Sequence, residues 1–336
     1  MTELEQSAPQ PLTGYLDFTP GRSFGTSLRK AGAMARRNKL GALGVVLVIF
    51  VLVVAAGSPL LQRYDEQASF QTANPEFNPT ASPLEIAANP NLSAPTTLDR
   101  WESPFGWEHW LGTDQFGRDI YARLVVGARL AVIIGVGASL IAVVAGTVVG
   151  LVSGYFGGAV DLVVQRLVDA IQAFPGLVLL MLIVSIMDEP SLSLTVLALG
   201  FLGFASSVRI VRSSVLAVSQ AAFVEAARSY GASDVRLMVR HILPNITASI
   251  IVIFSISIGL YILAEASLSF LGLGPADQTT WGKMVNAGRF ALDLHPWEAV
   301  FSGAAITLAV LGFNLAGDAL RDELDPRMRG SRSRGF

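Results

Sequence analysis

The sequence contains no cysteine, and this absence removes several classes of site at once. Disulfide bonds, thiolate metal ligands and cysteine nucleophiles are all excluded. Only three histidines are present, His109, His241 and His295, and no HExxH pattern brings two of them onto one helix face. The sequence therefore predicts neither a zinc hydrolase nor any other metal site.

Motifs of ATP-binding and catalytic proteins are missing as well. No GxxxxGK[ST] phosphate-binding loop occurs, and the nearest match, Gly282-Lys283-Met284, departs from it at the last position. The GxSxG pattern of serine hydrolases is also absent. We therefore predict that the chain is not an enzyme and binds no cofactor of its own.

Charged residues are scarce, at 15% of the 336 positions, whereas hydrophobic residues account for 52%. A soluble chain would carry about a quarter charged residues. The composition therefore predicts a polytopic membrane protein that contacts the lipid bilayer. Because the formal net charge is −2, we expect no nucleic-acid partner.

Stretches without charged residues predict the membrane-spanning helices. A bilayer core requires about 20 mostly apolar residues per helix. Six stretches approach or exceed that length, namely 40–62, 130–160, 170–187, 190–208, 241–264 and 299–317. We expect the fifth to continue beyond Glu265 toward Gly274. The predicted fold class is an all-α polytopic membrane protein with six transmembrane helices.

The distribution of Lys and Arg predicts the orientation of these helices. Six spans place both termini on one side, and that side holds 17 of the 24 basic residues, against seven on the other. Both termini are therefore expected in the cytoplasm. The predicted order is a cytoplasmic tail (1–35), a first helix interpreted as a retained signal anchor (36–62), an extracytoplasmic loop (63–118), a core with five further helices (119–320) and a cytoplasmic tail (321–336).

The loop 63–118 contains two features of interest. Trp101, Trp107 and Trp110 suggest either an interfacial belt on the lipid headgroups or a docking surface for an external partner. Asp114, Arg118 and Asp119 precede the second span and can form an ion network at a helix start, where the macrodipole favours aspartate. That network either orients the loop or contacts substrate.

The second and third predicted spans contain residues that suggest packing and gating. Gly146, Gly150 and Gly154 recur every four residues and form one smooth stripe on a helix, as in close helix packing. Asp169 is expected near the inner membrane face. Pro175 is expected to kink or begin the third span. We regard Asp169 and Pro175 as candidate pathway or gating residues.

Glu265 lies within an apolar stretch, where a carboxylate is costly and is a candidate functional residue. Two interpretations are open. The side chain lines a translocation cavity, or it ties the fifth helix to the following loop through hydrogen bonds.

A polar segment between the fourth and fifth spans predicts a hairpin of two short helices, which we name the polar hairpin (residues 221–242). Its first helix is expected over 221–230, its second over 235–242, and Gly231 provides the turn because it tolerates positive φ. Pro244 is expected to separate the hairpin from the fifth span. The hairpin either docks onto a partner or lies flat on the headgroups.

The spacing of this segment, Glu225-Ala226-Ala227, three residues, Gly231, nine residues and His241-Ile242-Leu243-Pro244, resembles the EAA loop of ABC importer permeases. The segment LGTDQFGRD (111–119) is similar to the C-type permease subunit of dipeptide and oligopeptide importers. Together with matches over 154–180 and 313–330, the resemblance covers roughly residues 36–330. One departure is His241, where the family has isoleucine.

The resemblance implies a type I ABC importer permease in the cytoplasmic (inner) membrane of a bacterium. Its loop 213–245 would couple to an ATPase through these residues: Glu225, Ala226, Ala227, Gly231, Leu243 and Pro244. The implied partners are a second permease, two ABC ATPases that bind ATP and Mg²⁺, and an extracytoplasmic substrate-binding protein. The implied substrate is a peptide. The alternatives are an ABC importer for another solute, such as a metal chelate, and an ion-driven secondary carrier.

Overall fold

The computed structural model describes residues 39–73, 106–186 and 190–324, together with scattered positions between 78 and 104. The predicted tail 1–35 and the residues 325–336 of the other tail lie outside the described residues, as does Trp101. The described part is almost entirely helical, as expected from its long apolar stretches.

The α-helices are α1 (Lys39–Leu61), α2 (Ile120–Phe156), α3 (Gly158–Gln172), α4 (Gly176–Ser185), α5 (Leu192–Ser219), α6 (Ala222–Ser229), α7 (Asp234–Arg236), α8 (Leu243–Phe270), α9 (Trp281–Gly288) and α10 (Trp297–Leu324). A π-helix (Leu237–Ile242) joins α7 to α8, and a 3₁₀ turn (Arg289–Ala291) follows α9. The loop 63–118 also contains two short antiparallel strands, β1 (Gln71–Ala73) and β2 (Thr96–Leu98), which the sequence did not predict.

Within the described residues, five helices are long and apolar enough to cross a membrane: α1, α2, α5, the continuous helix Asp234–Phe270 and α10. The pair α3 and α4 makes a sixth if it counts as one span, although its two helices are bent by 81°. The protein is therefore a multi-pass membrane protein, and its fold class is as predicted.

The third predicted span, 170–187, differs most from the structure. Its first residues belong to α3, and the chain then turns before α4, which has Pro175 as its N-cap and contains 10 residues. At 1.5 Å per residue α4 is about 15 Å long, roughly half of a bilayer core. Pro175 thus begins the helix, as expected, and the turn before it accounts for the bend.

The second predicted span was placed too late in the sequence. Helix α2 begins at Ile120 rather than at residue 130 and ends at Phe156. Its first turns include Arg123, which is buried and paired with carboxylates described below. The charge-free stretch began after Arg129 and so left out the first turns of the helix, in which the charge of Arg123 is compensated by buried carboxylates.

The fifth span was also predicted too short, because Pro244 does not separate it from the polar hairpin. The helix runs without a break over Asp234–Phe270. Leu237–Ile242 adopts π-helical hydrogen bonding immediately before Pro244. Proline lacks an N–H and its ring crowds the preceding turn, so a locally wider helix accommodates it.

The glycine stripe of α2 packs against α5, as predicted. A Cβ atom on Gly146 would lie 2.4 Å from the Cβ of Ser207, and one on Gly150 would lie 2.8 Å from the carbonyl oxygen of Val208. A Cβ atom on Gly154 would lie 3.0 Å from the carbonyl oxygen of Arg212. The absence of side chains along the stripe allows the two backbones to approach closely.

Candidate functional site

The polar hairpin is present and turns where the sequence predicted. Helix α6 covers Ala222–Ser229, and Gly231 has a φ of +80°. The amide of Ala232 donates to the carbonyl of Ala227 at 3.1 Å and closes the turn. A Cβ atom at Gly231 would have open space around it, so glycine is favoured here by the backbone conformation and not by lack of space.

One face of α6 packs against the rest of the chain. Val224 is fully buried, and Ala227 is half-buried against the same apolar cluster, which includes Val215 of α5 and Leu237 of the π-helix. We expected both Ala226 and Ala227 to face a partner. The structure instead turns Ala227 toward the protein's own core and leaves Ala226 exposed.

The opposite face of the polar hairpin is exposed and partly apolar. Glu225 and Ala226 are exposed, Tyr230 is 92% exposed, and Val235 and Val239 are 66% and 55% exposed. Exposed apolar side chains beside polar ones are typical of an interaction surface. This face is therefore a candidate binding surface.

The hairpin is connected to the fifth span without an intervening loop. Leu243 packs into the same apolar cluster as Ala227, whereas Pro244 is exposed. Asn245 donates from Nδ2 to the carbonyl oxygen of His241 at 2.6 Å, which satisfies an acceptor beside the proline. No loop intervenes between Asp234 and Phe270, so the second hairpin arm and α8 form one continuous helix.

Ion pairs connect α3 with α5. Arg212 binds Asp161 through two hydrogen bonds of 2.5 Å, and Ser153 donates to the same carboxylate at 2.6 Å. The gating candidate Asp169 pairs with Arg209 at 2.5 Å and is partly exposed. These pairs fix the direction of α3 before the bend at Pro175.

The predicted network before the second span contains more residues than expected. Asp114 is fully buried and accepts from the backbone N–H of Phe116 at 2.7 Å and from Nε of Arg118 at 2.8 Å. Arg123 also pairs with Asp114, and its guanidinium reaches Glu298 of α10 at 2.9 Å. The network therefore joins the loop 63–118 to α2 and α10, an arrangement that supports the interpretation in which it orients the loop. Contact with substrate stays a prediction.

Asp119 belongs to a separate contact. It caps α2 by accepting from the N–H of Ala122 at 2.7 Å, and its other oxygen lies 2.8 Å from Nδ1 of His109. Asp119 lies at the helix start, as predicted, but its contact with His109 was not predicted. Phe70 packs on the His109 ring, with 4.6 Å between ring centroids.

Arg123 and Glu298 were also missed by the sequence analysis. The available signal was an arginine one turn inside an apolar helix, which requires a buried partner. Its partner stands 175 residues later in the chain, so no local spacing identifies the pair.

The tryptophans of the loop 63–118 are exposed at the two described positions. Trp107 is 93% exposed and Trp110 is 51% exposed. Arg63, just after α1, donates to the carbonyl of Trp107 at 2.9 Å and lies over the Trp110 ring at 5.5 Å. This arrangement is compatible with both the lipid-belt and the docking interpretation, which remain predictions.

Glu265 is buried and makes contacts that support the second of its two interpretations. Ser269 donates to its carboxylate at 2.5 Å, and the side chains of Thr280 and Lys283 also interact with it. Lys283 in turn donates to the carbonyl oxygens of Ala276 and Gln278 at 2.9 and 3.1 Å. Burial lowers the pKa of Lys283, and the negative charge of Glu265 opposes that shift.

A cavity of about 580 Å³ lies among α5, α8 and α10, and its lining on α8 extends from Asn245 to Leu260. Its polar lining includes Ser214, Asn245, Ser249, Ser257 and Arg321. Glu265 does not line it, and neither do Asp169 and Pro175. The structure therefore does not bring the three candidate pathway residues together.

Comparison with known proteins shows the family to which the chain belongs. The family described as the inner membrane component of binding-protein-dependent transport systems matches residues 146–330. The dipeptide transport system permease protein DppC of Alkalihalophilus pseudofirmus is 36% identical over 326 residues, which cover 97% of this chain and 96% of that protein.

Two further relatives cover most of the chain. The oligopeptide transport system permease protein OppC of Bacillus subtilis is 34% identical over 295 residues, or 88% of each chain. The glutathione transport system permease protein GsiD of Escherichia coli is 37% identical over 296 residues, which cover 88% of this chain and 89% of that protein. The chain belongs to the family of inner membrane components of binding-protein-dependent transport systems.

Proposed function

We propose that this chain is the permease subunit of an ATP-driven importer for peptides of the dipeptide and oligopeptide class. It forms half of the translocation pore and couples to a separate ATPase. The relatives named for dipeptide, oligopeptide and glutathione transport support the substrate class. The observation that carries the coupling role is the polar hairpin, whose exposed face is continuous with a membrane-spanning helix.

The proposed assembly contains a second permease, two ABC ATPases and an extracytoplasmic substrate-binding protein. ATP and Mg²⁺ bind to the ATPases, and this chain, which is not an enzyme, carries no metal or cofactor. One polar hairpin offers one docking site, so the second ATPase docks on the second permease. The proposed location is the bacterial cytoplasmic membrane, with both termini in the cytoplasm.

Coupling follows from the helix Asp234–Phe270. Its 37 residues form a rod about 55 Å long, enough to cross a bilayer and extend beyond it. Closure of the ATPases on ATP displaces the polar hairpin, and α8 moves with it. Because α8 lines the cavity together with α5 and α10, this motion switches the cavity between inward-facing and outward-facing states. ATP and the loaded binding protein shift that equilibrium by binding one state better than the other.

The docking role is tested by substitutions on the exposed face of the polar hairpin. Ala226→Arg adds a large side chain to a close contact, whereas Ala226→Ser keeps the residue small. We expect Ala226→Arg to reduce co-purification of the ATPases and Ala226→Ser to retain it. Ala227→Arg is a weaker test, because Ala227 contacts the protein's own core.

The turn supplies a second, matched pair of variants. Gly231→Val places a β-branched residue at positive φ and costs ~1–2 kcal/mol or more, whereas Gly231→Asn is tolerated there. We expect only the valine variant to lose ATPase binding or receptor-stimulated ATP hydrolysis in reconstituted vesicles. If both Ala226→Arg and Gly231→Val assembled and responded like the wild type, the docking assignment would be wrong and the flat-lying helix would be the better account.

A further inference from the structure

Tyr155, at the end of α2, contacts both arms of the polar hairpin. Its hydroxyl donates to Oδ1 of Asp234, at the start of the second arm, at 2.6 Å. The guanidinium of Arg228, in the first arm, lies 5.8 Å from the centroid of the Tyr155 ring. One side chain of a neighbouring span thus bridges the two arms of the hairpin close to its turn.

The ring of Tyr155 is held independently of its hydroxyl. It is half-buried and packs against the apolar cluster that includes Val224 and Leu237 of the hairpin. Phe156 contacts it edge to face, with 5.2 Å between ring centroids. Removal of the hydroxyl alone therefore leaves the apolar packing in place, which makes the hydrogen bond separately testable.

Helix α2 has no covalent continuity with the polar hairpin, unlike α8. A hydrogen bond to an ionised carboxylate is shorter and roughly twice as strong as one between neutral groups. The bond between Tyr155 and Asp234 therefore resists rotation of the hairpin against α2. Because α2 packs on α5 through the glycine stripe, a motion that reaches α2 also reaches α5.

We propose that Tyr155 is a positioning residue for coupling: its hydrogen bond to Asp234 fixes the hairpin against α2, so that ATPase motion moves α2 together with α8. This inference rests on the proposed function and deepens it. Without the bond the hairpin still docks, but it moves relative to α2 and does not displace that helix. ATP is then hydrolysed with less transport.

The test uses variants that separate the hydroxyl from the ring. Tyr155→Phe removes the donor and keeps the packing. Asp234→Ala removes the acceptor, whereas Asp234→Asn keeps an acceptor oxygen. Tyr121→Phe is the matched control, because it removes a tyrosine hydroxyl near the other end of α2. Each variant is purified with its full complex and reconstituted in vesicles with the loaded binding protein, and three quantities are measured: ATPase co-purification, receptor-stimulated ATP hydrolysis and peptide uptake per ATP.

We expect Tyr155→Phe and Asp234→Ala to retain the ATPases and to hydrolyse ATP within about twofold of the wild type. Peptide uptake per ATP should fall about tenfold in each, the factor that corresponds to ~1.4 kcal/mol. The double variant should be no worse than either single one, because both changes remove the same bond. Asp234→Asn, which keeps a neutral and weaker acceptor, should lose less uptake per ATP than Asp234→Ala, and Tyr121→Phe should transport like the wild type.

Two results would overturn this inference. One is wild-type uptake per ATP in Tyr155→Phe, and the other is loss of the ATPases from that variant, which would make Tyr155 part of the docking structure only. Failure of the wild-type chain itself to retain an ATPase is a different result. It would overturn the proposed function, and this inference with it.

Discussion

Arg123 of α2 and Glu298 of α10 form a buried ion pair with 2.9 Å between Nη1 and Oε1, although 175 residues separate them in the chain. Asp114 of the loop 63–118 binds the same guanidinium. A single arginine therefore joins one loop and two membrane helices. The desolvated charge of Arg123 is compensated by two carboxylates. Removal of the arginine, or of both carboxylates, leaves a buried charge without its partner.

The first prediction concerns this arginine. Arg123→Leu should lower the free energy of unfolding by about 3–5 kcal/mol, because Glu298 and Asp114 lose their shared partner. Arg129→Leu is the control, since Arg129 lies on the same helix and is exposed. Unfolding of the purified variants in detergent measures the difference. Equal stability of the two variants would show that the buried pair contributes little.

The second prediction separates hydrogen bonding from charge at Glu265. Glu265→Gln keeps an oxygen that accepts from Ser269 and should have a mild effect on stability and transport. Glu265→Leu leaves the buried Ser269 hydroxyl without this acceptor and should cost about 1–3 kcal/mol. Melting in detergent and peptide uptake in vesicles provide the readouts. If the glutamine variant assembled normally but did not transport, Glu265 would have a charge-dependent role.

The third prediction tests the contact between α2 and α5. Gly146→Ala should destabilise the protein by about 1–3 kcal/mol, because its Cβ would overlap the side chain of Ser207 and press on the backbone of α5. Gly303→Ala in α10 meets nothing within 4 Å and should be neutral or slightly stabilising in a helix. The measurement is the melting temperature of each purified variant in detergent. Similar melting temperatures would contradict the close packing of the stripe.

The fourth prediction tests the orientation of the chain in the membrane. The absence of native cysteine allows single cysteines to report on each side. A cysteine at Ser82, in the loop 63–118, should react with an impermeant thiol reagent in intact cells. A cysteine at Ser331 should react only after the membrane is permeabilised. Labelling at position 331 in intact cells would reverse the predicted orientation of the C-terminus.

Several features were predictable because they depend on local properties of the chain. Apolar stretches located the five long helices, since crossing a bilayer requires a run of apolar residues. Gly231 was expected to turn the polar hairpin, and its positive φ confirms this. The glycine stripe predicted a helix contact, because its spacing of four places every glycine on one face.

Other features were decided by contacts between distant parts of the chain. The start of α2 was misplaced because the charge-free stretch began after Arg129, whereas the helix also contains Arg123, whose charge is paired with Asp114 and Glu298. Ala226 and Ala227 are both alanine, yet Ala227 is half-buried against the apolar cluster under the hairpin and Ala226 is exposed. The bond between Tyr155 and Asp234 had no signal in either segment.

The sequence by itself therefore determined the membrane class, the positions of most helices and the turn of the polar hairpin, because composition, periodicity and glycine conformation act over a few residues. The tertiary structure alone decided which charges are buried together, which face of α6 is free and how sharply α3 and α4 are bent. These depend on the approach of helices that are far apart in the chain. Their energies come from desolvation and close packing, which local sequence patterns do not encode.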